Sequence, residues 1–91
     1  MELAAHKLIA LWDRAAARDF VDVFILAKSF KPDEILKQAK DLDEGLLDKR
    51  LAEQFGQLAK YSDTDLPINP KGVPSLRQFF CDWSVRLGSE G

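Results

Sequence analysis

Residues 3–27 read LAAHKLIALWDRAAARDFVDVFILA, and this stretch decides the fold class. Apolar side chains recur every three or four positions over residues 3–12, which is the spacing of one helical face. The alanine-rich segment 15–17 predicts a turn, and Asp19 stands where it can cap a second, buried helix that starts at Phe20. The stretch therefore predicts a helical hairpin.

The middle of the chain predicts two further helices. Residues 31–34 read KPDE, and this opening predicts a third helix running to about Leu42, because proline and acidic residues suit a first helical turn. Asp48 can cap a fourth helix. Gly56 falls inside that helix, where it either weakens the helix by about 1 kcal/mol relative to alanine or permits a close helix crossing.

The last third of the chain predicts a loop followed by a helix. Residues 62–74 contain three of the four prolines and predict an ordered loop that its apolar residues pin to the core. Ser75 then caps a last helix with an inward aromatic stripe, beside which Cys81 is expected to be buried. The predicted fold class is all-α, a compact bundle of about five helices with an ordered proline-containing loop before the last helix. Because so short a chain can bury one core and hardly two, residues 1–91 are expected to form a single helical domain.

The composition limits the kinds of partner and the location. The formal net charge of −2 gives no global attraction to nucleic acid or to anionic lipid, so any nucleotide contact must come from a local cluster. The single Cys81 has no cysteine or histidine cluster around it, which suits a reducing cytosol and argues against a metal site. The apolar runs are far shorter than the roughly 20 residues of a membrane span, and no signal peptide is visible. We therefore expect a cytoplasmic protein with no membrane partner.

A group of charged residues lies along the predicted hairpin. Asp22 has apolar neighbours on nearly every side, so its carboxylate either lies on a narrow exposed edge or is held by a cation, since an unpaired buried carboxylate costs several kcal/mol. The candidate partners are Lys7, Arg14 and Arg18. Counting outward from the turn places Lys7 about one helical turn beyond the position opposite Asp22, within reach of a lysine side chain. If Asp22 is buried and paired, its replacement by alanine is expected to cost about 3 kcal/mol.

Two interpretations of this cluster are open. In the functional interpretation, Lys7 binds phosphate beside an acidic residue at the rim of a cleft. In the structural interpretation, Asp19 is a helix cap, Asp22 forms an internal salt bridge, and Lys7 and Arg14 belong to a solvated face. The spacing alone favours the structural interpretation, because such ion pairs are common in proteins of every function.

The same residues resemble a motif region of a known enzyme family. Lys7, followed by the Arg-Asp-x-x-Asp pattern of residues 18–22, is similar to the pattern near the end of nucleotidyltransferase toxins of the AbiEii/AbiGii family. The resemblance covers about residues 2–30. It implies nucleotide binding by Lys7, with Arg14 and Arg18 beside it, and catalytic roles for Asp19 and Asp22. It also implies a polymerase-β-like nucleotidyltransferase domain with helices attached, a toxin–antitoxin context, and nucleoside triphosphate and Mg²⁺ for a full-length member.

The chain departs from this family in one essential element. The family's metal-binding carboxylates lie upstream in a Gly-Ser-led Asp-x-Asp motif, and no such motif occurs here. Residues 63–65 read DTD without that lead, and we interpret them as part of a loop. Because phosphoryl transfer depends on carboxylate-held metal ions, the resemblance implies a C-terminal helical portion or truncated relative that is not catalytic alone and holds no cofactor itself.

The alternative function is a stand-alone helical protein-interaction module with no enzymatic activity. The partners expected from the sequence are a second copy of the chain or a missing N-terminal catalytic half. The resemblance alone adds RNA and nucleotide to these partners.

Overall fold

A computed structural model describes residues 2–89 of the chain. Five α-helices and no strand occur over these residues, which confirms an all-α bundle of about five helices. No helix among residues 2–89 combines the length and the apolar character that crossing a membrane requires. The helices are α1 (Glu2–Arg14), α2 (Ala17–Leu26), α3 (Pro32–Leu42), α4 (Asp48–Gly56) and α5 (Val73–Ser89).

The helices pack as two groups that share one core. Helix α1 packs against α2 and α3, while α4 packs against α5, and α2 contacts α5 to join the groups. The junction is aromatic: Phe20 of α2 meets Phe80 of α5 edge to face, with ring centroids 5.1 Å apart. Phe55 and Trp83 extend this stack, 4.9 Å apart. Full burial of such side chains contributes roughly 1.5–3 kcal/mol each, so this cluster contributes several kcal/mol to the stability of the fold.

The loop between α4 and α5 is ordered, as predicted. Three short 3₁₀ helices fill it, at Gln57–Lys60, Asp63–Asp65 and Pro70–Gly72. Leu66 is buried against the core in the middle of this loop. Arg77 of α5 reaches back and donates to the backbone oxygen of Tyr61 at 2.7 Å, which closes the loop onto the last helix.

Helix α2 begins earlier than predicted. It starts at Ala17, so Asp19 lies in its first turn and is not the N-cap residue. The Asp19 carboxylate instead reaches back and accepts a hydrogen bond from the backbone N–H of Ala16 at 3.1 Å. An acidic side chain at the third helical position can satisfy a free backbone donor as a cap does. The helix can therefore begin at Ala17, two residues before Asp19.

Neither Asp48 nor Ser75 is an N-cap residue, in contrast to the prediction. Asp48 is the first residue of α4, after Leu47 at the N-cap position, and its carboxylate pairs with Lys40 of α3 at 2.6 Å. Helix α5 starts at Val73 and includes Pro74, which fits a first turn because the missing N–H has no helical partner there. Ser75 therefore lies inside α5 and does not cap it.

Gly56 resolves one of the alternatives left open by the sequence. It is the last residue of α4, and a methyl group added to it would meet no atom within 4 Å. No helix crosses closely at this position, so the close-crossing interpretation is wrong. The remaining role of Gly56 is to weaken the end of α4.

The turn between α1 and α2 consists of Ala15 and Ala16. Ala15 has φ 48°, in the left-handed region that glycine normally occupies after a helix. Its side chain is nevertheless buried. The hydroxyl of Tyr61 donates to the Ala15 backbone oxygen at 2.9 Å, and Gln54 donates to the Trp12 backbone oxygen at 2.7 Å. The second half of the chain therefore satisfies the carbonyls at the end of α1.

Candidate functional site

The five sequence-predicted site residues form two separate ion clusters along the hairpin. In the first cluster, Lys7 Nζ lies 3.1 Å from Asp22 Oδ2. Arg18 approaches the same oxygen with Nε at 3.9 Å, from four residues earlier on α2. The hairpin therefore brings Lys7 and Asp22 together as the position count predicted, and it adds Arg18 to the pair.

The second cluster joins Arg14 to Asp19. Arg14 donates to both carboxylate oxygens of Asp19, through Nε at 2.9 Å and Nη2 at 3.0 Å. The hydrogen bond to Asp19, and then the negative charge of Asp19, raise the pKa of the Arg14 guanidinium above its ordinary value. Of the three candidate partners of Asp22, Arg14 pairs with Asp19 instead. Asp19 lies nearer the turn, and its planar carboxylate matches the guanidinium fork.

Exposure divides the two clusters into layers. The side chains of Asp19 and Asp22 are 1% and 25% exposed, whereas those of Arg14 and Arg18 are 66% and 80% exposed. Lys7 is intermediate at 35%. The carboxylates thus lie beneath, and the guanidinium groups lie outermost.

These contacts define which groups are free to act on a ligand. Both carboxylate oxygens of Asp19 are already occupied by Arg14 and the Ala16 N–H, so a substrate could reach Asp19 only after Arg14 moved away. An ammonium group has three N–H donors, and Asp22 is the ion-pair partner of Lys7. The partly exposed ammonium of Lys7 can therefore contact one further anion. The catalytic roles of Asp19 and Asp22 stay predictions.

The described residues do not fit the Mg²⁺ ion that the resemblance implies for a full-length enzyme. Over residues 2–89, no group of three or more histidine, cysteine or acidic side chains is arranged to hold a metal ion. The Asp-x-Asp pattern at residues 63–65 serves the loop itself: Asp63 binds Arg77 at 2.9 Å, and Asp65 accepts from the Ser62 N–H at 2.9 Å. We therefore derive no metal-dependent step for these residues.

A groove lies elsewhere, between α4 and α5. Its volume is about 280 Å³, and its floor includes Phe55 and Phe80. Cys81 lines this groove and is exposed, so the expectation that it is buried is wrong. The aromatic stripe turns inward at Phe80 and Trp83, and Cys81 between them is left on the outer side of α5.

Sequence reasoning missed the residues that act across the chain. The sequence pattern did not single out Arg77, which donates to Asp63 and to the backbone oxygens of Leu58 and Tyr61. Its partners lie 14 to 19 positions away, so helical periodicity carried no signal for them. The nearest sequence signal was the polar, proline-rich loop, which needs a donor for its free carbonyls.

In comparisons with known proteins, no family model, no curated protein and no solved structure matches the chain. The resemblance to AbiEii/AbiGii nucleotidyltransferases therefore rests on the sequence motif of residues 2–30 alone.

Proposed function

We propose that the chain is the C-terminal helical portion, or a truncated relative, of an AbiEii-like nucleotidyltransferase toxin and is not catalytic alone. The observation that supports this proposal is the 3.1 Å contact between Lys7 and Asp22. Both side chains are partly exposed, at 35% and 25%. A ligand can therefore reach the lysine beside an acidic residue of the motif.

In this proposal each charged residue has a distinct task. Lys7 binds a phosphate oxygen through the donors that Asp22 leaves free, and Asp22 holds the lysine in place. Arg18 supplies a second, exposed cation. The Arg14–Asp19 pair holds the turn that brings α1 and α2 together, and the metal-binding half of the active site lies outside this chain. Nucleoside triphosphate binding is therefore expected to be weak, and nucleotide transfer by the chain alone is expected to be absent.

Nucleotide titration with matched lysine variants tests this function. We expect Lys7→Ala to weaken nucleoside triphosphate binding about fivefold or more, since a charge-assisted hydrogen bond contributes about 1 kcal/mol or more. Lys37→Ala removes an equally charged, exposed lysine from α3 and should leave the affinity unchanged. Equal weakening by both variants, or efficient nucleotide transfer onto RNA by the purified chain, would overturn the proposal.

A second candidate function is a stand-alone helical protein-interaction module without enzymatic activity. The observation that favours it is an apolar pair at the open end of the hairpin. Leu3 and Ile25 are 61% and 50% exposed and lie about one helical turn beyond the Lys7–Asp22 contact. Single exposed apolar residues are normal on any surface, but neighbouring ones are typical of protein interaction sites.

Stability measurements test the module separately from nucleotide binding. If Leu3 and Ile25 are kept apolar for a partner, Leu3→Ser and Ile25→Ser should change the free energy of unfolding by less than about 0.5 kcal/mol. The control Leu8→Ser removes a fully buried side chain of α1 and should cost several kcal/mol. A loss above about 1 kcal/mol for either exposed residue would show that it serves the fold, which contradicts this function.

A further inference from the structure

The outer side of the α1–α2 hairpin forms a continuous surface, which we name the hairpin face. Residues spaced three, four or seven apart lie on one side of a helix, and the Lys7–Asp22 contact joins the row on α1 to the row on α2. The hairpin face consists of Leu3, Lys7 and Arg14 of α1 and Arg18, Asp22 and Ile25 of α2.

A partner that approaches this face meets cations first. The carboxylates of Asp19 and Asp22 lie below the surface, and the guanidinium groups of Arg14 and Arg18 lie above them. The formal charges of the five ionic groups nearly cancel, yet the accessible part of the surface is positive. The apolar pair Leu3 and Ile25 bounds this positive area at the open end of the hairpin.

We infer that the hairpin face docks an acidic segment of another protein that carries at least one large apolar side chain. This inference rests on the second proposed function, the interaction module, and names its partner class. Carboxylates of the segment pair with the exposed guanidinium groups, whose planar fork suits them. The apolar side chain of the segment covers Leu3 and Ile25.

Two other occupants fit the surface less well. An RNA strand binds through its charged backbone and would leave the exposed apolar side chains of Leu3 and Ile25 uncovered. A second copy in a two-fold interface would place the same patch on both sides. The exposed cations of the two copies would then face each other, which is unfavourable.

A designed peptide provides the test. The probe is a fluorescently labelled helical peptide of about 20 residues, long enough to be helical alone, with leucine and glutamate on one face and alanine elsewhere. We expect saturable binding to the full chain that weakens as salt rises above about 0.05 M, because the charged contacts are screened. The same peptide with lysine in place of glutamate should not bind.

Matched variants locate the binding on the hairpin face. Arg18→Glu should weaken binding about tenfold, whereas Arg50→Glu makes the same charge change on exposed α4 and should have no effect. Ile25→Ser should weaken binding, whereas Val85→Ser removes an equally exposed β-branched residue from α5 and should not. Circular dichroism establishes that each variant is folded; an acidic residue in the first turn of α2 is compatible with the helix.

Several outcomes would overturn the inference. These are the absence of peptide binding, equal effects of Arg18→Glu and Arg50→Glu, tighter binding of an oligouridylate strand through Arg18, or dimerisation that Ile25→Ser abolishes. If the stability test supports the module and the acidic peptide does not bind, only the partner class fails. The interaction module itself would then stand with a partner of different chemistry.

Discussion

The α1–α2 pair and the α4–α5 pair are joined in opposite ways. A turn of two alanines joins α1 to α2, and ion pairs line their outer edge. A long loop of three 3₁₀ helices connects α4 to α5, and aromatic rings fill the space between those helices. The difference separates two features: large aromatic side chains are buried between α4 and α5, whereas the α1–α2 pair presents charges that a ligand or partner can reach.

The largest expected effect belongs to the aromatic pair. Phe80→Ala should lower the free energy of unfolding by about 4 kcal/mol, because it empties a position where Phe20, Phe55 and Trp83 meet. Val85→Ala, on the exposed side of the same helix, serves as the control and should cost under about 0.5 kcal/mol. Urea denaturation measures both. A loss below about 1 kcal/mol for Phe80→Ala would mean that stability does not reside in this pair.

The next effect distinguishes the two carboxylates of the hairpin. Asp19→Ala should cost about 2 kcal/mol, because it removes two charge-assisted hydrogen bonds and leaves the Ala16 N–H without its acceptor. Asp22→Ala should cost under about 1 kcal/mol, since its cationic partners are partly or largely exposed. The latter value replaces the 3 kcal/mol expected for a buried pair. Equal losses in chemical denaturation would contradict the layered arrangement.

The turn itself can be tested with two buried alanines. Ala15→Gly and Ala5→Gly each remove a buried methyl group, but only Ala15 has a left-handed backbone. Ala15→Gly should therefore cost about 1 to 2 kcal/mol less than Ala5→Gly, because glycine relieves the left-handed strain. Differential scanning calorimetry of both variants gives the difference. A larger loss for Ala15→Gly would show that the turn tolerates alanine without strain.

The smallest expected effect is a gain. Gly56→Ala should raise the free energy of unfolding by about 0.5 to 1 kcal/mol, because the backbone is right-handed and the new methyl group meets open space. Gly45→Ala is the comparison, since its methyl group would lie 3.3 Å from a carboxylate oxygen of Asp43. We expect a smaller gain or a loss there. If thermal unfolding of Gly56→Ala occurs at a lower temperature, the groove beside α4 requires the glycine.

The parts of the fold that depend on nearby residues could be predicted from the sequence. Apolar patterns together with helix-start signals predicted all five helices, and the alanine-rich segment located the turn. Because that turn is short, its two helices must lie side by side, and the contact between Lys7 and Asp22 followed from counting positions. The short turn and the positions of the charged residues on either side of it were therefore enough to predict the Lys7–Asp22 ion pair.

The parts that depend on competition between partners could not be predicted. Arg14 had two acidic residues within reach, and only the placement of Asp19 in the first turn of α2 decided between them. Asp48 of α4 pairs with Lys40, a residue of another helix. Arg77 donates to acceptors in a loop whose path has no periodic signal. For Asp48 and Arg77 the partner lies outside the segment that the pattern describes.

The hydrogen bonds at the end of α1 join parts of the chain that are far apart in sequence, which bears on the order in which contacts form during folding. Gln54 and Tyr61 bind the backbone oxygens of Trp12 and Ala15 from 42 and 46 positions away. A hairpin joined by two residues can form within microseconds, as local helical contacts do, whereas contacts of this separation must first close a long loop. We therefore expect the α1–α2 hairpin to pair before its end carbonyls gain their partners from the second half of the chain.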